Sequence, residues 1–390
     1  MSPSLRFPEF TGEWEKCKLG TLATKVGSGS TPKGGDAVYT SIGHYFVRSQ
    51  NVGMGFLMLD NIAHINDDIH QKHKATEIYE NDVLLNITGA SIGRTAVATK
   101  ELEGGNVNQH VCIIRTNSKV NPKFLCDYIQ TQRIQNHIKS LQTGGSREGL
   151  NFEQIRSFPI SLPSINEQNK LTCLLDKINE RIATQVRLIE DLKKLRCAIV
   201  EKMFKQSKAN GRLGDFIEQV SVRNKNGLYS NVLSVSNKQG FVKQSEQFED
   251  RTVASEDTSN YKIVKRNNIA YNPARINVGS IARLTKFDVG IVSPMYVCFR
   301  TKASIIPEYM EAFFTSQQFF YEMMKRLEGS VRLCLSYEGL CNIPVYIPDM
   351  NKQIAMGQNI SLILSKIGLE IEYLGRLHQQ KQYLLRKMFI

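Results

Sequence analysis

The chain has 390 residues, 41% hydrophobic and 22% charged, with a formal net charge of +13; it has room for two or three domains with cores, and the charge favours a polyanionic partner. It has no run of eighteen apolar residues, and the opening MSPSLRFPEF lacks the apolar core of a signal peptide, so the expectation is a cytoplasmic protein with no role in a membrane. Its eight cysteines are scattered without a C-x-x-C pair, which argues against a disulfide framework and a cysteine zinc site.

Residues 1–163 read as a first globular domain. VGSGSTPKGG at 26–35 lacks the order of a P-loop, so it reads as a flexible loop whose Lys33 touches a backbone phosphate. RSQNVGMG at 48–55 offers Arg48 and Asn51, GASIGRT at 89–95 offers Arg94, NVNQH at 106–110 offers Gln109, and TGGSREG at 143–149 offers Arg147. HINDDIHQKH at 64–73 matches no metal-ligand spacing and reads as a polar loop facing water, so no metal site is assigned. VCIIRT at 111–116 reads as a strand, and Asn121-Pro122 opens an apolar helical pattern with proline in the first turn.

Residues 164–206 read as a long helix, with Ser164 as N-cap and Glu167 at the capping-box spacing. Apolar residues step by three and four through Ile182, Ile189, Leu192 and Ile199, the seam of a coiled coil. Residues 207–348 read as a second globular domain, with VCFRT at 297–301 as a strand and Ile306-Pro307 opening a helix. Its loops offer Arg223, Lys238, Arg275, Asn277 and Arg332. Asn272-Pro273-Ala274-Arg275 lacks the second proline and the aromatic of the N-P-P-[YF] loop of adenine methyltransferases, and is read as coincidence. Residues 349–390 form a second long helix capped by Asp349, with seam residues Ile367, Leu374, Leu377 and Leu384.

The two halves repeat. Residues 151–204 and 336–389 align without gaps over 54 positions at a separation of 185, with eleven identities. Each helix would run about 39 residues, roughly 58 Å at 1.5 Å per residue. The seams carry polar residues too, Gln185 and Arg196 in one and Glu370 and Lys381 in the other. A parallel pair in the register of the repeat would set Arg196 against Lys381, whereas an antiparallel pair sets Arg196 against Glu370 and Gln185 against Lys381; the alternative is that these long side chains snorkel outward and specify nothing. The expected fold is therefore mixed α/β (α+β), with two globular domains separated by two long antiparallel helices.

No nucleophile with an adjacent base and no methyl-donor loop stands out. What both domains share is glycine-bearing loops with Arg, Asn and Gln. Arginine pairs with guanine edges, Asn or Gln with adenine edges, and Lys with phosphates. The set points to DNA reading by Lys33, Arg48, Asn51, Arg94, Gln109 and Arg147 in one domain and Arg223, Lys238, Arg275, Asn277 and Arg332 in the other. Solvated surface loops are the alternative for any single residue. A stand-alone DNA methyltransferase and a coiled-coil scaffold without a DNA role are the alternatives for the whole.

RFPEFTGEWEKCKLG at the start, GSTP at 29–32, NDVLLNITGASIGRTAV at 81–97, and LPSINEQ leading into a helix that ends EKMF resemble the specificity subunit of type I restriction-modification enzymes. IPDMNKQ at the second helix entry departs from the usual Glu-Gln pair. The resemblance implies a non-catalytic subunit whose two target-recognition domains each read half of a split double-stranded DNA target. It implies that the helices set the spacing and dock two methyltransferase subunits, with restriction/translocase subunits in the full complex. S-adenosylmethionine, ATP and Mg would be used by those partners, with no cofactor on this chain.

Overall fold

The computed structural model describes residues 2–142, 149–205, 208–237, 239–247, 257–330 and 332–390. Two compact units emerge: Met1–Gln185 with Tyr373–Ile390, and Val186–Glu372. The long helices are Ile165–Lys205, of 41 residues, and Met350–Met388, of 39. Each unit therefore takes one part of each long helix. Among the described residues no helix is long and apolar enough to cross a membrane.

In the first unit, Val111–Thr116 is central in a four-stranded antiparallel sheet ordered Ala23–Ser28, Val111–Thr116, Val83–Asn86, Thr95–Val97. Successive side chains of a strand point to opposite faces. Val83, Leu85, Cys112 and Ile114 therefore enter one core with the helix Pro122–Gln130, while Leu84, Val111 and Ile113 enter another with Val47 and Val107. A strand buried on both faces reads as a continuous apolar run, which is why VCII shows no alternation. A three-stranded sheet, Ala63–Ile65, His44–Val47 and Asn106–Val107, lies over the second core and contains one parallel pair.

The second unit repeats this plan. Its sheets are ordered Ile217–Gln219, Val297–Thr301, Ile269–Tyr271, Ile281–Arg283 and Gly240–Lys243, Val232–Ser236, Val289–Val292, Lys262–Lys265, again with one parallel pair. Ile269, Tyr271 and Phe299 face the helical core; Ala270 and Cys298 face the other. The recurring KLG and RLG also have a steric reason. A Cβ on Gly20 would come within 3.1 Å of Arg156 Cβ, and one on Gly214 within 3.0 Å of Cys341 Cβ, so any larger residue in the short helices Leu19–Leu22 and Leu213–Phe216 would push its neighbour back by a few tenths of an ångström.

The repeat extends to single hydrogen bonds. Gln168, fully buried at the start of the first long helix, donates to the carbonyls of Lys119 (3.1 Å) and Pro163 (2.9 Å) and accepts from the Asn121 N–H (2.8 Å). Gln353, at the separation of 185, donates to Ser304 (3.1 Å) and Pro348 (2.9 Å) and accepts from Ile306 N–H (3.0 Å). One amide thus joins each helix to the domain before it.

Helix entry follows the expectation only partly. Ser164 Oγ accepts the Glu167 N–H at 3.4 Å, and Asp349 Oδ1 accepts the Lys352 N–H at 3.0 Å. The Glu167 carboxylate does not close a capping box. It is buried and takes two bonds of 2.8 Å from the Arg6 guanidinium and one of 3.3 Å from Trp14 Nε1. A charged partner outcompetes a backbone N–H for a buried carboxylate.

None of the expected seam residues is fully exposed. Gln185, Ile189, Ile367, Leu377 and Lys381 are buried, and Ile182, Leu192, Arg196, Ile199, Glu370, Leu374 and Leu384 are half-buried. Within the first unit, Leu171 and Leu175 share a core with Leu385, Met388 and Phe389, and Arg181 donates to the Tyr373 hydroxyl at 2.5 Å. Within the second, Val200 and Phe204 share a core with Ile360. Residue numbers rise along one segment as they fall along the other, so the segments run antiparallel.

Three of the four polar seam residues show the following surroundings. Lys381 Nζ donates to Gln130 Oε1 at 3.1 Å, on a helix of the globular domain. Glu370 pairs with Lys366 of its own helix at 2.5 Å, and Arg196 Nε is buried without a partner. Lys381 thus reaches past the seam to an acceptor on the globular domain, as a long side chain can.

Candidate nucleic-acid interface

In the first unit, loops distant in sequence meet at one end of the sheets. The Gly29 N–H donates to Asn108 O at 3.2 Å, and Thr31 hydroxyl to Gln109 Oε1. Gln109 Nε2 donates to His110 Nε2 at 3.1 Å, which leaves the ring proton on Nδ1, directed at Thr88 Oγ1. Thr88 in turn bridges to Gly149. This relay fixes the Gln109 amide while leaving one N–H and one carbonyl lone pair free, the pattern that pairs with an adenine edge. Thr31, Thr88 and His110 are members of the site that sequence reasoning missed. NVNQH contains the histidine, but nothing in its spacing connects it to Thr88.

Lys33, Arg94 and Gln109 are exposed on these loops. Arg94 follows Gly93, whose φ of +85° favours glycine and turns the loop back so that Asn86 N–H reaches Arg94 O at 2.8 Å. Arg48 is half-buried, with its guanidinium 5.5 Å from the Tyr39 ring centroid and Nε enclosed without a partner. Asn51 corrects the expectation. It is 3% exposed, its Oδ1 accepts the Arg48 N–H at 3.0 Å and its Nδ2 donates to Met58 O at 2.9 Å. With both groups committed inside the loop, Asn51 holds loop shape and offers no edge to a base.

The second unit builds the matching loop from Asn272 to Ser280, with Gly279 at φ +89° in the place of Gly93 and Asn272 N–H donating to Ser280 O at 3.1 Å. Arg275 is exposed and Asn277 half-buried on it. Asn272 Oδ1 accepts the Ala274 N–H at 3.1 Å, a turn bond that accounts for the asparagine before Pro273. Leu335 N–H donates to Pro273 O (3.1 Å) as Leu150 N–H does to Ile87 O (2.9 Å), so the segment carrying exposed Arg332 leads to this loop. Arg223 is exposed and donates to Asn260 Oδ1 at 2.9 Å; the neighbouring Lys262 donates to Tyr296 O at 2.6 Å. Arg147 and Lys238 lie outside the described residues.

The histidine-rich segment is structural. His70 is buried, stacks on His44 with ring centroids 3.8 Å apart, and bonds Asn106 Oδ1 at 2.8 Å; His73 Nδ1 bonds its own helix at Ile69 O. Among the described residues no group of three or more His, Cys, Asp or Glu side chains could hold a metal. Burial pushes the thiols of Cys112, Cys126 and Cys298 up to about 12, so none of these three offers a thiolate at neutral pH.

Residues 11–194 match the family described as the type I restriction modification DNA specificity domain. The EcoBI specificity subunit of a type I restriction enzyme from Escherichia coli is 24% identical over 135 residues, 34% of this chain and 28% of that subunit. This match therefore spans under a third of the relative's length. The S subunit of a type I restriction-modification system from M. genitalium superposes over 100% of this chain and 99% of its own with a TM-score of 0.60 at 18% identity. A chain from a study of complex assembly and conformational transition of the type I R-M system gives 0.58 at 14% identity, covering 98% of both. Residues 11–194 are thus similar to the type I restriction modification DNA specificity domain, and the chain as a whole has the fold of the solved type I S subunits.

Proposed function

We propose that the chain is the DNA sequence-recognition subunit of a type I restriction-modification complex, each globular domain reading one half of a split double-stranded target. The observation that carries this is one frame built twice with different loops: Lys33, Arg94 and Gln109 on one copy, and Arg223, Arg275 and Arg332 on the other, are all exposed. Exposed arginine and amide groups on rigid sheet ends suit base edges, and lysine suits phosphate. Two readers on one face of DNA must sit about one helical turn apart, roughly 34–36 Å. The long helices are long enough to set such a distance.

In this reading the chain performs no chemistry and binds no cofactor. Two methyltransferase subunits dock on the helices and use S-adenosylmethionine, and restriction/translocase subunits use ATP and Mg. The internal repeat supplies two similar docking faces to two identical partners. The test is to map methylated adenines in a genome carrying this protein, with and without the Arg94→Ala and Arg275→Ala changes. The expected result is a two-part target, relaxed at one position of one half by each change. A continuous target, or DNA methylation by the purified chain alone, overturns the proposal.

A further inference from the structure

A cavity of about 490 Å³ lies in the second unit, between the helix segments and the globular domain. Its wall includes Arg196 and Leu364 from the helices, Asn237 and Phe241 from one hairpin, and Lys286 and Thr315. Arg196 has no hydrogen bond or ion pair among the described residues, and its Nε is buried. A half-buried cation without a counter-group has lost part of its hydration with no protein partner in exchange.

The first unit shows how the same problem is solved elsewhere in the chain. Lys381, at the separation of 185 from Arg196, is tied to Gln130 Oε1 at 3.1 Å, and its charge acts on the buried Asp127 carboxyl. The positions matching Gln130 and Asp127 are Thr315 and Ala312, and neither bonds Arg196. Two carboxylates in the cavity wall, Glu308 and Glu311, are already neutralised by Arg283, also in the wall, at 2.5 and 2.9 Å. The second unit thus keeps the cation and the space, and lacks the acceptor.

We propose that this cavity binds a small oxyanion, a phosphate or carboxylate group seated on the Arg196 guanidinium with the Lys286 ammonium beside it. A planar guanidinium matches either group with paired N–H donors, and the volume falls within the range of small-ligand sites. The bound anion would join the helix segment to the Ser236–Phe241 hairpin and to the strand ending at Arg283.

The test uses the full chain and amide hydrogen exchange, titrating inorganic phosphate or acetate against chloride at constant ionic strength. The expected result is saturable protection at residues 236–241 and 281–286, weakened about tenfold or more in Arg196→Met and unchanged in Lys139→Ala, an exposed lysine of the first unit. Protection by phosphate alone, by acetate alone or by both supports the proposal and identifies the group. No saturable protection at these segments, or protection that survives Arg196→Met, overturns it. Should Arg196→Met fail to fold, Arg196→Gln is read by the same criterion.

Discussion

The last residues of the chain close the first unit, and Phe389→Ala tests that role. Phe389 is 6% exposed and its ring meets three others: Phe124 stacked at 5.4 Å, and Tyr128 and Trp14 edge-on at 6.1 and 6.4 Å. Met388 is buried beside it, the Tyr128 hydroxyl donates to Ile390 O, and Lys387 O accepts the Leu5 N–H at 3.0 Å. Truncating a buried phenylalanine costs about 3–5 kcal/mol, and the lower end applies where a chain end can settle into the space, so about 3 kcal/mol is expected. Trp14, the single tryptophan of the chain, lies against the Phe389 ring and reports on this unit alone. Urea unfolding followed by its fluorescence should show a transition destabilised by about 3 kcal/mol, with native emission shifted to the red. Phe204, which packs on Tyr309 and Phe313 at 5.3 and 5.1 Å in the second unit, supplies the control: Phe204→Ala should leave the native emission of Trp14 unchanged. An unaltered Trp14 transition in Phe389→Ala would refute the assignment of the C-terminus to this core.

Replacing Gln168 or Gln353 with alanine strands two carbonyls and one N–H in a buried helix entry, so each change should lower stability by about 2–4 kcal/mol in denaturant unfolding. Asp127 supplies a pH dependence: burial raises its pKa from the usual carboxylate value to about 7 against the lowering effect of Lys381. An acid with a raised folded pKa binds protons better when folded, so stability present at low pH is lost as pH rises from about 4 to about 7, by an order of 2–4 kcal/mol. Asp127→Asn should flatten this slope, as measured by urea midpoints across that window. Asn51→Ala should destabilise its loop, seen as faster exchange over residues 48–58, without relaxing one position of a DNA target. A single-position change in the methylated sequence would return Asn51 to the reading surface.

Legibility in the sequence followed the range of the interactions. Helix seams were legible because a 3.5-residue period is local, and Ile182, Ile189, Ile367 and Leu377 all face inward as their spacing requires. The duplicated frame was legible because packing restricts residue choice in both copies, down to the pair Gln168 and Gln353. Arg94 and Arg275 could be placed on loops from glycine and polar neighbours alone.

What the sequence by itself determined is therefore the periodic and the repeated: two long helices, two copies of one domain frame, and the loops that differ between them. Only the tertiary structure decided which side chains meet across long separations. It tied Glu167 to Arg6, turned Lys381 toward Gln130, left Arg196 facing a cavity, linked Thr31 to Thr88 through Gln109 and His110, and enclosed Asn51. The reason is that a polar side chain bonds whichever counter-group folding brings within about 3 Å, and no local period encodes that distance.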